Sequence, residues 1–421
     1  MINSISANKK FYLPIIVLLS WLIFTIISFA YGPYDYDLIN PIQFYLYLLL
    51  IHLFLFFGYK KGLKSRGRNF KININYVKLI KRLVIVVFYY NLIKLIFHGG
   101  GAINAFETFY DASLSYEKNV SGHFSGVFSY ADMIFYPIYM IAITNVIVNY
   151  KLIPGLYRFY FYFLIALPIL SAIGSATRSG IVQTIIISTA GILLAILRNN
   201  ILITRRMKFV MFFVVGFLLF LFLGYTSLLV TSRGGIGLNN LITGDPPRDD
   251  FFLNEHVSPE FQLLITSISF YISHSYYRLN KAMDMPFEGI GFGFSNSVFI
   301  INNIEKFTGW SGLSDISYGI RLDRSDGNGD FGVFWSTFYT WIASDVTFPG
   351  VLIVVFFIGY FFSLALKDST SFNNPLAIST FCLLFYVIFH FAFNNPFQDG
   401  QGVATYFLIP MLWYVTRKNN V

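Results

Sequence analysis

Charge is what this sequence has least of. Only 12% of its 421 residues are Asp, Glu, Lys or Arg, and 56% are hydrophobic. A soluble domain carries about 25% charged residues, so the balance excludes a water-soluble protein and leaves an integral membrane protein. Cysteine is nearly absent: Cys382 stands alone in an apolar run, so no disulfide framework exists. No transporter-type internal repeat and no low-complexity tract is visible. Acidic residues number 21 against 30 Lys and Arg. The net charge of +9 does not imply nucleic acid, and no nucleic-acid partner is expected.

The distribution of those cations orients the chain. Lys9 and Lys10, the run from Lys60 to Arg82, Lys151, Arg158, Arg198, the Arg205–Lys208 group, Lys367, Arg417 and Lys418 fall in short segments on one side. Asp368 alone among the acidic residues joins them. The positive-inside rule makes that side cytoplasmic, with both termini there. Its loops are too short for a nucleotide-binding domain.

A spanning helix needs about 20 mainly apolar residues. The sequence predicts spans over 12–31, 41–59, 79–98, 126–149, 157–175, 180–197, 209–230, 347–366, 375–393 and 402–416. These ten should pack as an all-α bundle, since lipid tolerates no open sheet edge. They divide the chain into seven N-terminal spans (1–230), a large extracytoplasmic loop (231–346) and three C-terminal spans (347–421). Within the loop, 261–283 and 287–304 are apolar enough to lie in the interface or dip into the bilayer. If both crossed, there would be twelve spans, and Arg278 and Lys281 would face the cytoplasm. Ser, His, Tyr and Arg in the first of them favour an interfacial helix. The opening apolar run reads as an uncleaved signal anchor, given the many spans behind it.

Two arginines stand where apolar helices emerge on the far side: Ala176-Thr177-Arg178-Ser179-Gly180 and Thr231-Ser232-Arg233-Gly234-Gly235. Flanked by small residues that let a ligand approach the backbone, they are phosphate-binding candidates. The bland alternative is an arginine snorkelling to the headgroups. Two arginines in similar surroundings, with Arg278, Arg321 and Arg324 in one loop, favour phosphate. A charged hydrogen bond contributes roughly 1.5–3 kcal/mol, so two or three arginines would hold a diphosphate firmly. Arg248, beside Asp249 and Asp250, reads as local loop pairing.

In the stretch from Tyr318 to Asp330, Asp326-x-Asn328-x-Asp330 opens like a calcium loop. Phe331 and Thr337 then occupy the positions that need Gly and Glu, so no metal site is assigned. The alternative is an Arg/Asp cluster gripping a sugar phosphate, with Asp326 or Asp330 taking a proton. His274, four residues before Arg278, shares a helix face with it and is the favoured histidine for a general base. His52 and His390 lie within apolar helices and read as packed residues. Asp132 lies inside a predicted helix, where ionisable groups are costly and usually face a cavity. Gly289-x-Gly291-x-Gly293 lacks the strand and spacing of a dinucleotide fingerprint. Most of the 29 Tyr and 49 Phe supply interfacial belts. Sugar rings could stack on outer Tyr34, Tyr36, Tyr110, Trp310, Trp335, Tyr339 or Trp341, and composition does not pick among them.

The pattern resembles Wzy-type O-antigen or oligosaccharide repeat-unit polymerases of Gram-negative envelopes. The residues that carry the likeness are Gly32-Pro33-Tyr34 ahead of Asn40-Pro41, Gly174 to Gly180, the arginine-bearing loop, and Phe334 to Gly350 leading into a late helix. The resemblance implies a GT-C-like bundle in the bacterial inner membrane with its active site facing the periplasm. It implies a glycosyltransferase that joins repeats carried on undecaprenyl diphosphate, which serves as both donor and acceptor. No cofactor is needed. An acceptor hydroxyl attacks the anomeric carbon and displaces lipid diphosphate, with inversion. Arg178, Arg278 and Arg321 occupy settings comparable to the family's essential arginines, with Arg233 and Arg324 near equivalents. The implied partners besides membrane lipid are a chain-length regulator and a flippase. The rival readings are an O-antigen ligase, which differs in its acceptor, and a lipid-linked oligosaccharide transporter.

Overall fold

The computed structural model describes residues 9–70, 75–98, 127–201, 220–229, 256–310, 312–326 and 335–417, with isolated positions between 213 and 251. Its order is α1 (Leu13–Tyr31), α2 (Pro41–Leu63), α3 (Tyr76–His98), α4 (Val127–Val148), α5 (Gly155–Gly174), α6 (Ser179–Leu197), α7 (Phe220–Leu229), α8 (Pro259–Asp284), α9 (Val298–Thr308), α10 (Leu313–Ile316), α11 (Tyr318–Ser325), α12 (Phe338–Ser371), α13 (Pro375–Phe389) and α14 (Gly400–Val415). Among the described residues there is no strand, only an isolated bridge between Phe70 and Arg417. Seven of these helices are long and apolar enough to cross a membrane. The chain is an α-helical membrane protein.

Three of the ten predicted spans fall outside those seven. The run 79–98 is helical as α3, but Lys78, Lys81, Arg82 and Lys94 interrupt its apolar surface. The run 402–416 is α14, only 16 residues long. In 209–230 the continuous described stretch is α7, which is shorter than a span, with isolated positions before it.

The chain forms two compact units: residues 1–72 with 269–421, and residues 73–268. The boundaries at 230 and 346 expected from sequence are not those of this division. The reason lies in α2, which packs against α12 across nearly 300 residues of sequence. A Cβ on Gly58 would collide with the carbonyl oxygen of Phe356, and one on Gly359 with that of Leu55. Lipid offers helices no hydrophobic drive toward each other, so small residues that permit close backbone approach hold them together.

α12 breaks at Thr347, whose φ of 64° and ψ of 164° are non-helical. Pro349, two residues on, has no amide to donate to the Asp345 carbonyl, so it falls in the first turn after the break, where that donor is not needed. The Tyr47 hydroxyl takes up the Phe348 carbonyl at 3.2 Å. The kink separates a buried piece, Phe338 to Asp345, from the apolar span predicted to start at 347.

One end of the first unit gathers its basic segments. Asp368, fully buried on α12, accepts from the Arg417 guanidinium at 2.7 and 3.3 Å, from Trp413 Nε1 at 3.0 Å and from the Arg68 amide at 2.7 Å. One carboxylate thus ties together the ends of α2, α12 and α14. At the opposite end lies the 32–40 connection between α1 and α2. The C-terminal half of α8 lies against it: Ser273 Oγ meets the Tyr36 hydroxyl at 2.9 Å, and the Ile39 amide donates to Asn280 Oδ1 at 2.9 Å. Ser275 Oγ donates to the carbonyls of Trp335 and Phe393, which adjoin that same end. Arg278 and Lys281 therefore sit at the end of the first unit away from its basic cluster.

In the second unit α4 and α5 each pack against both α3 and α6. The α5–α6 turn is tight: the Thr177 amide donates to the Ala172 carbonyl at 2.8 Å, and Ala176 adopts φ 50°. The Tyr225 hydroxyl of α7 buttresses it through the Thr177 carbonyl at 3.0 Å.

Candidate functional site

The helix pair α8 and α11, with the Asp326 cap of the latter, carries five of the candidate residues. Arg278 is central and essentially inaccessible, its side chain only 1% exposed. Its guanidinium donates to Asp323 Oδ1 at 2.5 Å and to the Gly319 carbonyl at 3.3 Å, and it lies 3.5 Å from Asp326 Oδ2. Lys281, one turn nearer the solvent, pairs with Asp326 Oδ1 at 3.5 Å and covers the Tyr277 ring at 4.7 Å. Asp323 is fully buried, a situation tolerated for a carboxylate because a guanidinium is paired and hydrogen-bonded to it. Arg278 thus fixes α11 to α8.

The two arginines of α11 are more open. Arg321, 14% exposed at its side chain, donates to the Pro286 carbonyl at 2.8 Å and lies 3.5 Å from Glu288. Arg324, 36% exposed, pairs with Asp315. Pairs of this kind contribute about 0–1 kcal/mol, whereas a hydrogen bond to a charged group contributes about 1.5–3 kcal/mol. A diphosphate can therefore displace Glu288 or Asp315 at small cost, but displacing Asp323 from Arg278 would strand a buried charge.

His274 sits one turn before Arg278, buried and stacked on Phe270 with ring centroids 4.7 Å apart. Burial first, then the positive charges of Arg278 and Lys281, push its pKa down to about 3. It is neutral across the physiological range and a weak proton acceptor. The sequence singled it out by its spacing from Arg278, and that same proximity weakens it as a base.

Arg178 belongs to the other unit, where it caps α6 with half-buried side chain and φ −109°. Gly180, two residues on, serves packing, since a Cβ there would meet the Pro168 carbonyl oxygen at 2.7 Å. Arg233 and Asp330 lie outside the described residues. Asp132 does not face an empty cavity: Lys94 Nζ sits 2.6 Å from one carboxylate oxygen and the Tyr90 hydroxyl donates to the other at 2.7 Å. Asp399 caps α14 by accepting from the Gly402 amide, and burial raises its pKa. Among the described residues no group of three or more His, Cys, Asp or Glu side chains is placed to hold a metal ion.

Sequence reasoning missed Asp323, Glu288 and Asp315, the carboxylates that sort the arginines. The signal was available for Asp323: on a helix beginning at Tyr318 it falls on the same face as Gly319, opposite Arg321 and Arg324. Fold and site together define a polytopic helical membrane protein with a cluster of arginines and their paired carboxylates at the end of the first unit remote from that unit's basic segments. No family model matches the chain, and no similar curated protein or solved structure was found.

Proposed function

We propose that this protein is a polymerase that joins undecaprenyl-diphosphate-linked oligosaccharide repeats into a surface polysaccharide such as O-antigen. The reading sets a GT-C-like bundle of ten to twelve spans in the bacterial inner membrane, with both termini cytoplasmic and the α8–α11 end facing the periplasm. The observation that carries it is the sorting of the α11 arginines: Arg321 and Arg324 hold replaceable surface carboxylates, on a base fixed by the buried Arg278–Asp323 pair.

Arg321 and Arg324 take the diphosphate of the donor; Arg178 and Arg233 are diphosphate ligands on the strength of the sequence alone. Charge grows on that diphosphate as its bond to the anomeric carbon breaks, and preorganised guanidinium groups stabilise it there. Arg278 is a positioning residue. The acceptor hydroxyl gives its proton to Asp326 or Asp330 rather than to His274, whose basicity is too low. One displacement of this kind inverts the anomeric centre.

Complementation of a strain lacking the gene tests the reading. Wild type restores long polymer, and Arg321→Ala and Arg178→Ala at normal protein level leave lipopolysaccharide bearing a single repeat. Full-length polymer from both variants would overturn it. Polymer stranded on its lipid carrier in the deletion strain would instead indicate a ligase.

A further inference from the structure

The glycine-rich segment after α8 enters the function above only through Glu288, and the rest of it has an unusual surface. Phe287, Ile290, Phe292 and Phe294 are all exposed, Phe292 to 77%. Apolar side chains grouped like this on a surface mark a contact with another apolar phase. They do not collapse inward because the segment is pinned from beneath. Asp345, buried on the first piece of α12, accepts from the Ser295 amide at 3.0 Å and from Asn296 Nδ2 at 2.6 Å. Asn395 Nδ2 in turn donates to the Asn296 carbonyl at 2.6 Å. The turn itself closes through the Phe294 amide and the Gly291 carbonyl at 2.9 Å. Phe292 is held at φ 52°, a left-handed conformation that a bulky residue adopts only when its surroundings impose it.

We propose that residues 287–294 form a fixed aromatic anchor inserted into the lipid leaflet at the end of the bundle remote from the basic cluster. Two observations choose lipid over a protein partner. First, the pin ties the segment to a helix with an apolar exterior: Val346, next to Asp345, is exposed, and beyond the Thr347 break the same helix exposes Ile353 and Phe357. Second, its charge is graded. Between Pro286 and Phe294 the only ionisable residue is Glu288, at the base of the segment and paired with Arg321. That pair marks headgroup depth, and the uncharged tip from Ile290 to Phe294 reaches the acyl chains. The Asp345 pin thereby sets the height of Arg321 relative to the membrane surface.

The full chain carrying Cys382→Ala and Phe292→Cys, labelled with an environment-sensitive fluorophore and reconstituted into phosphatidylcholine vesicles, tests this. Ile290→Cys provides a second site in case the first variant fails to fold. The emission should shift to the blue on reconstitution. Acyl-chain nitroxide lipids should quench it several-fold more strongly than aqueous iodide. Quenching by iodide with no response to nitroxide lipid would place the segment in water. Insensitivity to both would mean that protein, such as a second copy of the chain, covers it. Either result overturns the proposal.

Discussion

Three arginines of similar appearance in the sequence separate by what they touch. Arg278 is sealed against Asp323, so removing either partner alone leaves a buried charge and costs about 3–5 kcal/mol. Arg278→Ala and Asp323→Ala should each lower the melting temperature of the detergent-solubilised protein sharply. The double replacement Arg278→Met with Asp323→Leu should recover most of the loss. An undiminished melting temperature in the single variants would contradict the buried pair. Arg321 behaves differently: Arg321→Ala should leave melting nearly unchanged and lower polymer elongation per enzyme roughly 10- to 150-fold, one charged hydrogen bond's worth.

His274 has a pH signature of its own. Its pKa falls from the ordinary 6.5 to about 3 in the folded chain, because burial and the nearby cations disfavour the imidazolium. Between those limits the unfolded chain binds the proton and the folded chain does not. The stabilising contribution of the neutral ring is therefore complete above pH 6.5 and declines as pH falls toward 3. Melting curves of wild type and His274→Gln across pH 4 to 7 provide the check (~0.5-unit steps suffice). The variant should show a shallower fall, and parallel curves would refute the assignment. Whether a residue was legible from sequence follows the same logic. Spacing found His274 and the arginines, but which arginine is buried depends on where Asp323 lands, and one-dimensional spacing does not carry that.

At the scale of elements, apolar length and proline placement made the spanning helices legible. The runs at 12–31, 41–59, 157–175, 180–197 and 375–393 match helices closely, and the start of the late span at 347 coincides with the Thr347 kink. The pairing of α2 with α12 was harder to foresee, although Gly58-Tyr59-Lys60-Lys61-Gly62 has the small-xxx-small spacing of close helix contacts. Gly58→Val should force those helices apart, since the new side chain meets the backbone of Phe356 with no room to turn aside. The expected result is a loss of monodisperse protein in detergent, visible by size-exclusion chromatography. An unaltered elution profile and yield would show that the contact is dispensable. The end of α12 was illegible for another reason. In the sequence Asp368 is an isolated acid among basic loops, and only folding brings Arg68, Trp413 and Arg417 to it.

For the whole molecule, charge asymmetry is the feature that sequence and structure share most directly. Basic loops gather at one end of the first unit around Asp368, and the Arg278–Arg321–Arg324 cluster lies at the other with the 32–40 connection. The division into units was not visible in the sequence, because residues 1–72 complete a fold whose remainder follows Ser269. Cysteine accessibility at Lys61 and Arg324, in whole cells probed with a membrane-impermeant thiol reagent, should label position 324 alone. Labelling of position 61 alone would reverse the proposed orientation.

The central claim is that cations at the α8–α11 end bind a lipid diphosphate so that one saccharide repeat can displace it from another. Purified wild-type protein in vesicles, given only a synthetic undecaprenyl-diphosphate-linked repeat, should produce a ladder of products spaced by one repeat. Arg321→Ala of equal melting temperature should yield little beyond the starting material. A folded wild-type protein that leaves the substrate at a single repeat, or an Arg321→Ala variant that extends it as well as wild type, would contradict the account.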